Sequence, residues 1–227
     1  MATGNTLYVR DRKAWRAWLS ENHAKKDEIW LIYPRKNTGK PRLPYADAVE
    51  EALCFGWIDS NIKGIDENSY AQRFSRRKKV SVFSQPNIER VKRMIKLGKM
   101  TPAGITVFKN PEVLGREQKL EIAPDVREAL KEDRQVWTNF RKFPEIYKRI
   151  RIAYIEGGRR HGDEEFLKRL RFFIKKTKKN KSFGFGGVQK EDAALGPEQD
   201  ALRAGPPAGI KIARPSRPGI EILKDPA

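Results

Sequence analysis

Apolar residues at helical spacing predict the first helix of the chain. Trp15, Trp18 and Leu19 stand three and four residues apart, so they share one helix face. Asp11 precedes this stripe and is a favoured N-cap residue, because its carboxylate can accept hydrogen bonds from the first backbone N–H groups. We therefore expect a helix over residues 11–22 that packs two indoles into a core.

A buried strand and a second helix are predicted next. Residues 29–33 are apolar at every position and rich in strand formers, a pattern typical of a central strand covered on both faces. A loop over residues 37–41 follows, and Pro44 then opens a helix that ends at Gly56. From the helical period, we expect four residues of this helix to face the core: Ala48, Val49, Ala52 and Leu53. We expect three acids to face the solvent: Asp47, Glu50 and Glu51.

Two alternating runs then predict a β-hairpin. Residues 57–65 and 70–74 alternate between apolar and polar side chains, and the Asp-Glu-Asn sequence at 66–68 is a turn signal between them. A strict alternation puts Ile58 and Ile62 on one face of the first strand. It puts on the other face Trp57, Asp59, Asn61 and Lys63.

A third helix follows a basic connector at residues 76–79. Ser84 is a suitable N-cap, and Pro86 fits the first helical turn. Ile88, Val91 and Ile95 share one face of this helix, which ends at Gly98. Thr101 and Pro102 open another short helix, and these elements together predict an α+β unit.

The rest of the chain divides into a helical part and a tail. Residues 124–179 are helical in period throughout, and the last helix has acids in its first turn and lysines in its last, as the helix dipole favours. The final 46 residues hold six of the 14 prolines and only two aromatic residues, which predicts disorder. We predict an α+β domain over residues 1–115, a basic helical module over 116–181 and a disordered Pro/Gly-rich tail over 182–227.

The net charge of +19 is concentrated in two segments. Residues 72–99 hold ten basic residues against one acid, and residues 141–181 hold fifteen against five. Such patches attract polyanions, namely nucleic acid, anionic lipid headgroups or acidic proteins. The alternative is an ordinary solvated surface without a specific partner.

Other features narrow the class of protein. The single Cys54 cannot form an internal disulfide, and the first ten residues lack the apolar region of a secretory signal, so we expect a cytoplasmic protein. The chain has two histidines, His23 and His161, which are too few and too isolated for a zinc site or a Cys-His nucleophile. No phosphate-binding glycine motif occurs. We expect no metal, no cofactor and no catalytic residue.

Two stretches resemble a known bacterial family. Residues 52–60 read ALCFGWIDS, and residues 72–104 read QRFSRRKKVSVFSQPNIERVKRMIKLGKMTPAG. Both resemble the YdeI/OmpD-associated family, and the resemblance extends over residues 7–176. Its recurring positions fall on Gly56, Trp57, Asp59, Arg73, Arg76, Ser81, Ser84, Asn87, Arg90, Met100 and Gly104. The resemblance implies a role in resistance to antimicrobial peptides or bacteriocins, without a defined activity.

The best candidate for a ligand site is the polar face of the hairpin with the start of the third helix. If the hairpin pairs in register, Asp59 and Arg73 lie across from one another, near donors around Ser84. The ligand-binding candidates are Trp57, Asp59, Lys63, Arg73, Arg76, Arg77, Ser81, Ser84, Asn87 and Arg90. The alternative is a structural Asp-Arg pair beside an ordinary helix cap.

Three functional hypotheses follow. The first is a non-catalytic stress-resistance protein that binds an anionic partner through both basic segments. The second is an enzyme that acts on a small anionic substrate through Asp59 and Arg73. The third is a non-specific nucleic-acid-binding protein, in which aromatic residues beside the cations stack on bases.

Overall fold

A mixed sheet organises the first part of the chain in the computed structural model, which describes residues 5–78, 83–107, 114 and 119–183. Its strands are β1 (Thr6–Leu7), β2 (Glu28–Pro34), β3 (Trp57–Gly64) and β4 (Ser69–Arg76), in the spatial order β1-β2-β4-β3. β1 is parallel to β2, and the other pairs are antiparallel. The hairpin and the apolar strand are confirmed, whereas the two-residue β1 was not predicted.

Helices pack on the sheet and continue beyond it. The first set is α1 (Arg12–Asn22), α2 (Tyr45–Cys54), α3 (Gln85–Lys96) and α4 (Pro102–Thr106). The second set is α5 (Pro124–Lys131), α6 (Arg134–Lys142), α7 (Glu145–Glu156) and α8 (Asp163–Lys178). Short 3-10 turns occupy Lys36–Thr38 and Gly157–His161. The α+β class with a helical C-terminal part is confirmed.

Two hydrophobic clusters form the interior. The first lies between the sheet and α1–α3, where Trp15 contacts Phe74 edge to face with ring centres 5.4 Å apart. The second is built by α5–α8 around Phe140, Tyr147 and Phe173. All described residues lie in one compact unit, so the domain boundaries at 115/116 and 181/182 stay a prediction. Disorder was predicted for residues 182–227, of which residues 184–227 lie outside the described residues.

Strand β2 is buried on one face only. Ile29, Leu31 and Tyr33 point into the first cluster, but Trp30 and Ile32 on the opposite face are half-buried. The prediction of a strand covered on both faces is therefore wrong. The first hydrophobic cluster lies on the side of Ile29, Leu31 and Tyr33.

The acids of α2 correct the predicted orientation of that helix. Glu50 and Glu51 are 2% and 1% exposed rather than solvated. Arg12 binds both carboxylates, at 2.9 and 2.5 Å, and Arg16 binds Glu51 at 2.6 Å. Arg93 binds Glu50 at 2.7 Å. The carboxylates are buried because α1 and α3 surround α2 and supply the countercharges.

This ion-pair network also fixes the charge of Arg12. Burial opposes its positive charge, but the hydrogen bond and negative charge of Glu51 prevail and raise the pKa of Arg12 above its ordinary value. Arg12 therefore keeps its positive charge within the buried network. The network is held by charge-assisted hydrogen bonds, which are about twice as strong as neutral ones.

Helix α3 buries a different face from the predicted one. Val91 and Met94 are fully buried, whereas Ile95 is 40% exposed. Glu89 and Arg90 are also buried, so the inner side of α3 includes two charged residues. With this face inward, Arg93 reaches Glu50 on α2 at 2.7 Å.

Glu89 joins the two parts of the fold. Arg149 of α7 donates to both its carboxylate oxygens, at 2.7 and 3.2 Å, and the Glu89 side chain is 4% exposed. Gln85 donates to the same carboxylate at 2.9 Å. This bidentate pair connects α3 of the sheet region with α7 of the helical region.

Close packing explains why the motif has a glycine at position 104. A Cβ atom at this residue would lie 2.2 Å from the carbonyl oxygen of Cys54, well inside the contact limit for real Cβ atoms. Thr101 caps α4 by accepting from the Gly104 N–H at 3.3 Å and donates to the same Cys54 oxygen at 2.6 Å. Glycine is required here because α4 lies directly against the end of α2.

We predict that Glu51→Ala lowers the free energy of unfolding by about 3 kcal/mol, because it leaves two arginines without their shared buried carboxylate. Urea unfolding of the full chain, followed by circular dichroism and tryptophan fluorescence, measures this loss.

The matched control is Glu21→Ala, which removes an exposed acid from α1. Its effect should stay within about 0.5 kcal/mol, as for other surface substitutions. Similar losses in both variants would show that the network does not stabilise the fold.

Candidate functional site

The hairpin divides the predicted site residues between two faces of the sheet. Asp59 lies opposite Phe74, and Ile62 lies opposite Gln72. Between these two pairs β3 advances by three residues, whereas β4 advances by only two. This bulge puts Ile62 on the helix-covered face with Asp59 and moves Lys63 to the other face. Strict alternation across the bulge, which the prediction assumed, is wrong.

Arg73 does not meet Asp59. It points to the open face, where Nε donates to Glu28 at 2.9 Å, a terminal nitrogen also contacts this carboxylate, and Nη1 donates to Ser60 at 3.4 Å. The hydrogen bond from Arg73 lowers the pKa of Glu28. The Asp59-Arg73 pair on which the enzyme hypothesis depends is therefore not formed.

Trp57 and Arg76 serve the fold. Trp57 is 1% exposed, and its indole donates to the His23 carbonyl at 3.2 Å and contacts Trp18 edge to face. Arg76 donates to the carbonyls of Ala24 and Lys26 at 2.6 and 2.8 Å, which holds the connection between α1 and β2. Trp57 is thus a core residue, whereas the Arg76 side chain is 44% exposed beside the backbone that it holds.

The helix-covered face brings Asp59 to the start of α2. The Tyr45 hydroxyl donates to Asp59 Oδ2 at 2.6 Å. Burial, then the hydrogen bond and negative charge of Asp59, raise the pKa of Tyr45, and the positive charge of Arg90 partly opposes this. Asp59 and Tyr45 thus form a polar pair near the edge of the first hydrophobic cluster.

Tyr33 of β2 lies behind this pair. It is 3% exposed, stacks on Tyr70 with ring centres 5.3 Å apart, and its hydroxyl has no hydrogen-bond partner among the described residues. Burial raises its pKa strongly, and the charge of Asp59 adds to the effect. Neither Tyr33 nor Tyr45 was predicted as a site residue, because tyrosines in a strand and at a helix start are usual packing residues.

Two buried arginines complete the group. Arg77 is 9% exposed and its guanidinium carbon lies 3.5 Å from the centre of the Phe83 ring. Arg90 is 5% exposed and donates to Asn87 Oδ1 at 2.8 Å. Burial lowers the pKa of Arg77, and the negative charge of Asp59 partly offsets this.

We call Tyr33, Tyr45, Asp59, Arg77 and Arg90 the tyrosine–arginine cluster. Of the predicted candidates, Asp59, Arg77, Asn87 and Arg90 lie in or beside it. Ser84 is the N-cap of α3 and is exposed, without a side-chain cap hydrogen bond, and Ser81 lies outside the described residues. The structure thus keeps one part of the predicted site and separates Lys63, Arg73 and Arg76 from it.

The arginines of the first basic segment, residues 72–99, mainly stabilise the fold. Its arginines are paired or buried: Arg73, Arg76, Arg77, Arg90 and Arg93. The second segment differs, because several of its cations are exposed and form no ion pair with any described residue. These are Arg141, Lys142, Arg160, Arg171, Lys175, Lys179 and Lys181.

Known protein families match the chain in two places. Residues 7–107 match a model described as a domain of unknown function (DUF8412). Residues 119–180 match a model described as Bacteriocin-protection, YdeI or OmpD-Associated. The resemblance to the YdeI/OmpD-associated family is confirmed. Comparisons with curated proteins and with solved structures found no match.

The match to the YdeI/OmpD-associated family lies on α5–α8 rather than on the motifs at residues 52–60 and 72–104. Those motifs fall in the stretch that the first model covers. The helical part therefore carries the likeness to the family, although the resemblance was argued from the sheet region.

The described residues contain neither a group of metal ligands nor a membrane-spanning helix. Within residues 5–183, as far as they are described, three or more His, Cys, Asp or Glu side chains do not come together as metal ligands. Every helix of this part is too short or too polar to span a bilayer.

We predict that Asp59→Asn lowers the pKa of Tyr45, because the variant removes the negative charge that disfavours the tyrosinate. In the native chain, stability from this pair is complete below about pH 10, the pKa of an unfolded tyrosine. It is lost as the pH rises through the folded pKa. Carbon-13 NMR titration of labelled tyrosines, with Tyr45→Phe for assignment, measures the shift.

Asp27→Asn is the control. It also removes one negative charge, at the residue just before β2 begins, which is the opposite end of that strand from Tyr33. It should leave the Tyr45 titration unchanged. An unchanged Tyr45 titration in Asp59→Asn would contradict the pairing.

Proposed function

We propose that this protein is a non-catalytic binder of an anionic polymer and that helix α8 carries its contact surface. Three cations of α8 and its C-cap residue follow one another at spacings of three, four and four residues and are all exposed: Lys168, Arg171, Lys175 and Lys179. Such spacing puts them on one side of the helix. We call this row the basic stripe.

The opposite side of α8 supports this interpretation. Phe166, Leu170, Phe173 and Thr177 are buried in the second cluster, so the helix is anchored and the basic stripe is held rigidly outward. Asn139 of α6 donates to the Thr177 and Lys178 carbonyls at 2.9 and 3.2 Å. This contact brings the exposed cations at the end of α6 toward the end of the stripe.

The stripe has a length suited to several phosphates. Eleven residues separate Lys168 from Lys179, which is about 16 Å at 1.5 Å per residue. One strand of a duplex places a phosphate about every 3.4 Å along its axis. Four cations at this spacing give multiple simultaneous phosphate contacts, and hence a strong dependence on salt.

Phe172 favours nucleic acid among the anionic polymers. It flanks the stripe, is 46% exposed, and has the Lys176 ammonium 5.3 Å from its ring centre. An exposed aromatic ring beside cations is the usual arrangement for stacking unpaired bases. Phe183 contacts it edge to face at 4.9 Å and limits its rotation.

A role in bacteriocin protection, which the family description names, is compatible with this proposal. A chain with a net charge of +19 repels cationic peptides. Protection by direct capture of such a peptide is therefore disfavoured, and binding of an anionic partner is favoured.

The triple variant Arg171→Gln, Lys175→Gln, Lys179→Gln tests the basic stripe. We expect the slope of log affinity against log salt to fall by about 2 for single-stranded and about 3 for duplex oligonucleotides, since each lost contact releases fewer counterions. Fluorescence anisotropy of labelled oligonucleotides across a salt series measures it.

The control is the triple variant Lys13→Gln, Lys25→Gln, Lys26→Gln, which removes three exposed cations near α1. Both variants carry a net charge of +16, three less than the native +19. Equal effects would mean that only total charge matters, and native binding already lost at physiological salt would refute the proposal.

Substitution of Phe172 separates stacking from charge. We expect Phe172→Ala to weaken binding of a single strand by about fivefold or more, since base–aromatic stacking contributes about 1–3 kcal/mol per base. Duplex affinity should change little, because paired bases are not available for stacking. The same anisotropy measurement applies to both.

Leu167→Ala is the matched control, because it removes another exposed apolar side chain from α8. It should leave both affinities unchanged. Equal loss for single strand and duplex in Phe172→Ala would show that the ring does not stack on bases.

A further inference from the structure

A cleft lies between the start of α3 and the helices α7 and α8. Its volume is about 580 Å³, within the range of about 300–1,000 Å³ that is usual for small-molecule sites. Its wall is formed by the start of α3, by α7 and α8, and by the 3-10 turn between them. The described lining residues include no member of the basic stripe or of the tyrosine–arginine cluster.

One part of the cleft wall is apolar or aromatic. It consists of Phe83, Pro86, Ile150, Ala153 and Tyr154. Ile150 is fully buried and therefore belongs to the inner wall. Ala153 is exposed and therefore borders the opening, where its small side chain leaves room for a ligand. A wall of this kind favours a ligand with an apolar body.

Two aromatic rings of this wall are held in place by arginines. The guanidinium carbon of Arg77 lies 3.5 Å from the centre of the Phe83 ring, and that of Arg169 lies 4.3 Å from the centre of the Tyr154 ring. Arg169 is itself fixed, because it donates to Glu165 at 2.8 Å and to the Tyr154 carbonyl at 2.9 Å. Tyr154 is nevertheless 40% exposed. Rings that are already ordered lose little freedom when the ring of a ligand packs on them.

The charge of the cleft depends on Arg160. Two other charged residues of the wall are neutralised by ion pairs, since Glu156 binds Arg159 at 2.7 Å and Arg169 binds Glu165 at 2.8 Å. Arg160 lines the cleft, is exposed, and forms no ion pair or side-chain hydrogen bond with any described residue. The cleft therefore has one positive charge in excess.

A carboxylate matches this excess in charge and in shape. A guanidinium can donate two parallel N–H groups to the two oxygens of a carboxylate. A phosphate monoester carries nearly two negative charges, and the second charge would lie in a cleft that Glu156 also lines. A ligand with a single negative charge is therefore favoured.

The adjoining cavity of about 660 Å³ lacks such an excess of charge. Lys119 and Glu121 of its wall have opposite charges, and Arg149 is paired with the buried Glu89. Both cavities are lined by Glu156, which Arg159 neutralises. The smaller cleft is thus the one in which charge selects a ligand.

We propose that this cleft binds a small aromatic carboxylate, with Arg160 bound to the carboxylate and the rings of Phe83 and Tyr154 packed against the ring of the ligand. Ser84, one of the candidates from the sequence, lines the same cleft, and its hydroxyl makes no cap hydrogen bond. This hydroxyl is a second donor for the ligand. The site does not depend on polymer binding by the basic stripe.

The test uses 2-naphthoate as the aromatic carboxylate, 2-naphthamide as the neutral molecule of the same shape, and hexanoate as a carboxylate without a ring. NMR titration of the nitrogen-15-labelled full chain follows the backbone amides. We expect saturable shifts at Ser84, Gly157 and Arg160 with 2-naphthoate. Hexanoate should bind about threefold more weakly or worse, because it lacks the aromatic contacts. The amide should bind about tenfold more weakly, because it lacks the charge.

Variants separate this site from general attraction to a basic protein. Arg160→Gln should weaken 2-naphthoate about tenfold, since it removes a charge-assisted hydrogen bond. Ala153→Trp should abolish the saturable shifts by filling the cleft, while the rest of the spectrum shows that the protein is folded. Arg141→Gln is the matched control, because it removes an exposed cation at the end of α6 and leaves the same net charge as Arg160→Gln. It should not change the affinity.

Four results would overturn the proposal. They are no saturable shift with 2-naphthoate, equal affinity in the native protein and Arg160→Gln, equal weakening in Arg160→Gln and Arg141→Gln, or hexanoate binding as tightly as 2-naphthoate. The triple glutamine variant of the basic stripe should retain 2-naphthoate binding. Failure of one site is therefore distinguishable from failure of the other.

Discussion

Two buried carboxylates on α2 determine how the sheet region is assembled. Glu50 and Glu51 need positive partners because an isolated buried charge is strongly unfavourable, and they find them on the helices before and after α2. Arg12 and Arg16 tie α1 to α2, and Arg93 ties α3 to the same helix. The apolar side of α2 is then free to cover the sheet.

Helix α3 carries this constraint to the other parts of the molecule. Arg90 lies one turn before Arg93, is 5% exposed and donates to Asn87. Glu89 then meets Arg149 and fixes α3 to the helical part. One helix with few apolar residues thus connects the core, the cluster and the region that resembles the YdeI/OmpD-associated family, through charged side chains that each have a defined partner.

The local sequence pattern predicted the helices and strands. Contacts between residues that are distant in sequence decided which side chains these helices and strands bury or expose. The helix stripe of Trp15 and Leu19, the hairpin turn and the dipole-matched ends of α8 all depend on neighbours in sequence, and all were predictable. The burial of Glu50 depends on arginines 38 and 43 residues away, and the face of Lys63 depends on one extra residue in a strand. Neither has a local signal, so Lys63 and Arg73 were assigned to the same face as Asp59 although they lie on the other side of the sheet.

The basic stripe and the buried arginines differ in how water reaches them, and this difference determines what their charges can do. The basic stripe is exposed to solvent, so its attraction is screened within about 10 Å at ordinary ionic strength and gains strength only from the number of contacts. Arg77 and Arg90 are buried, where screening is weak and each charge acts on its neighbours in the fold. A long anionic polymer suits the first environment, whereas the second uses its charges to hold the structure together, so the excess of arginine and lysine serves binding at one place and the fold at another.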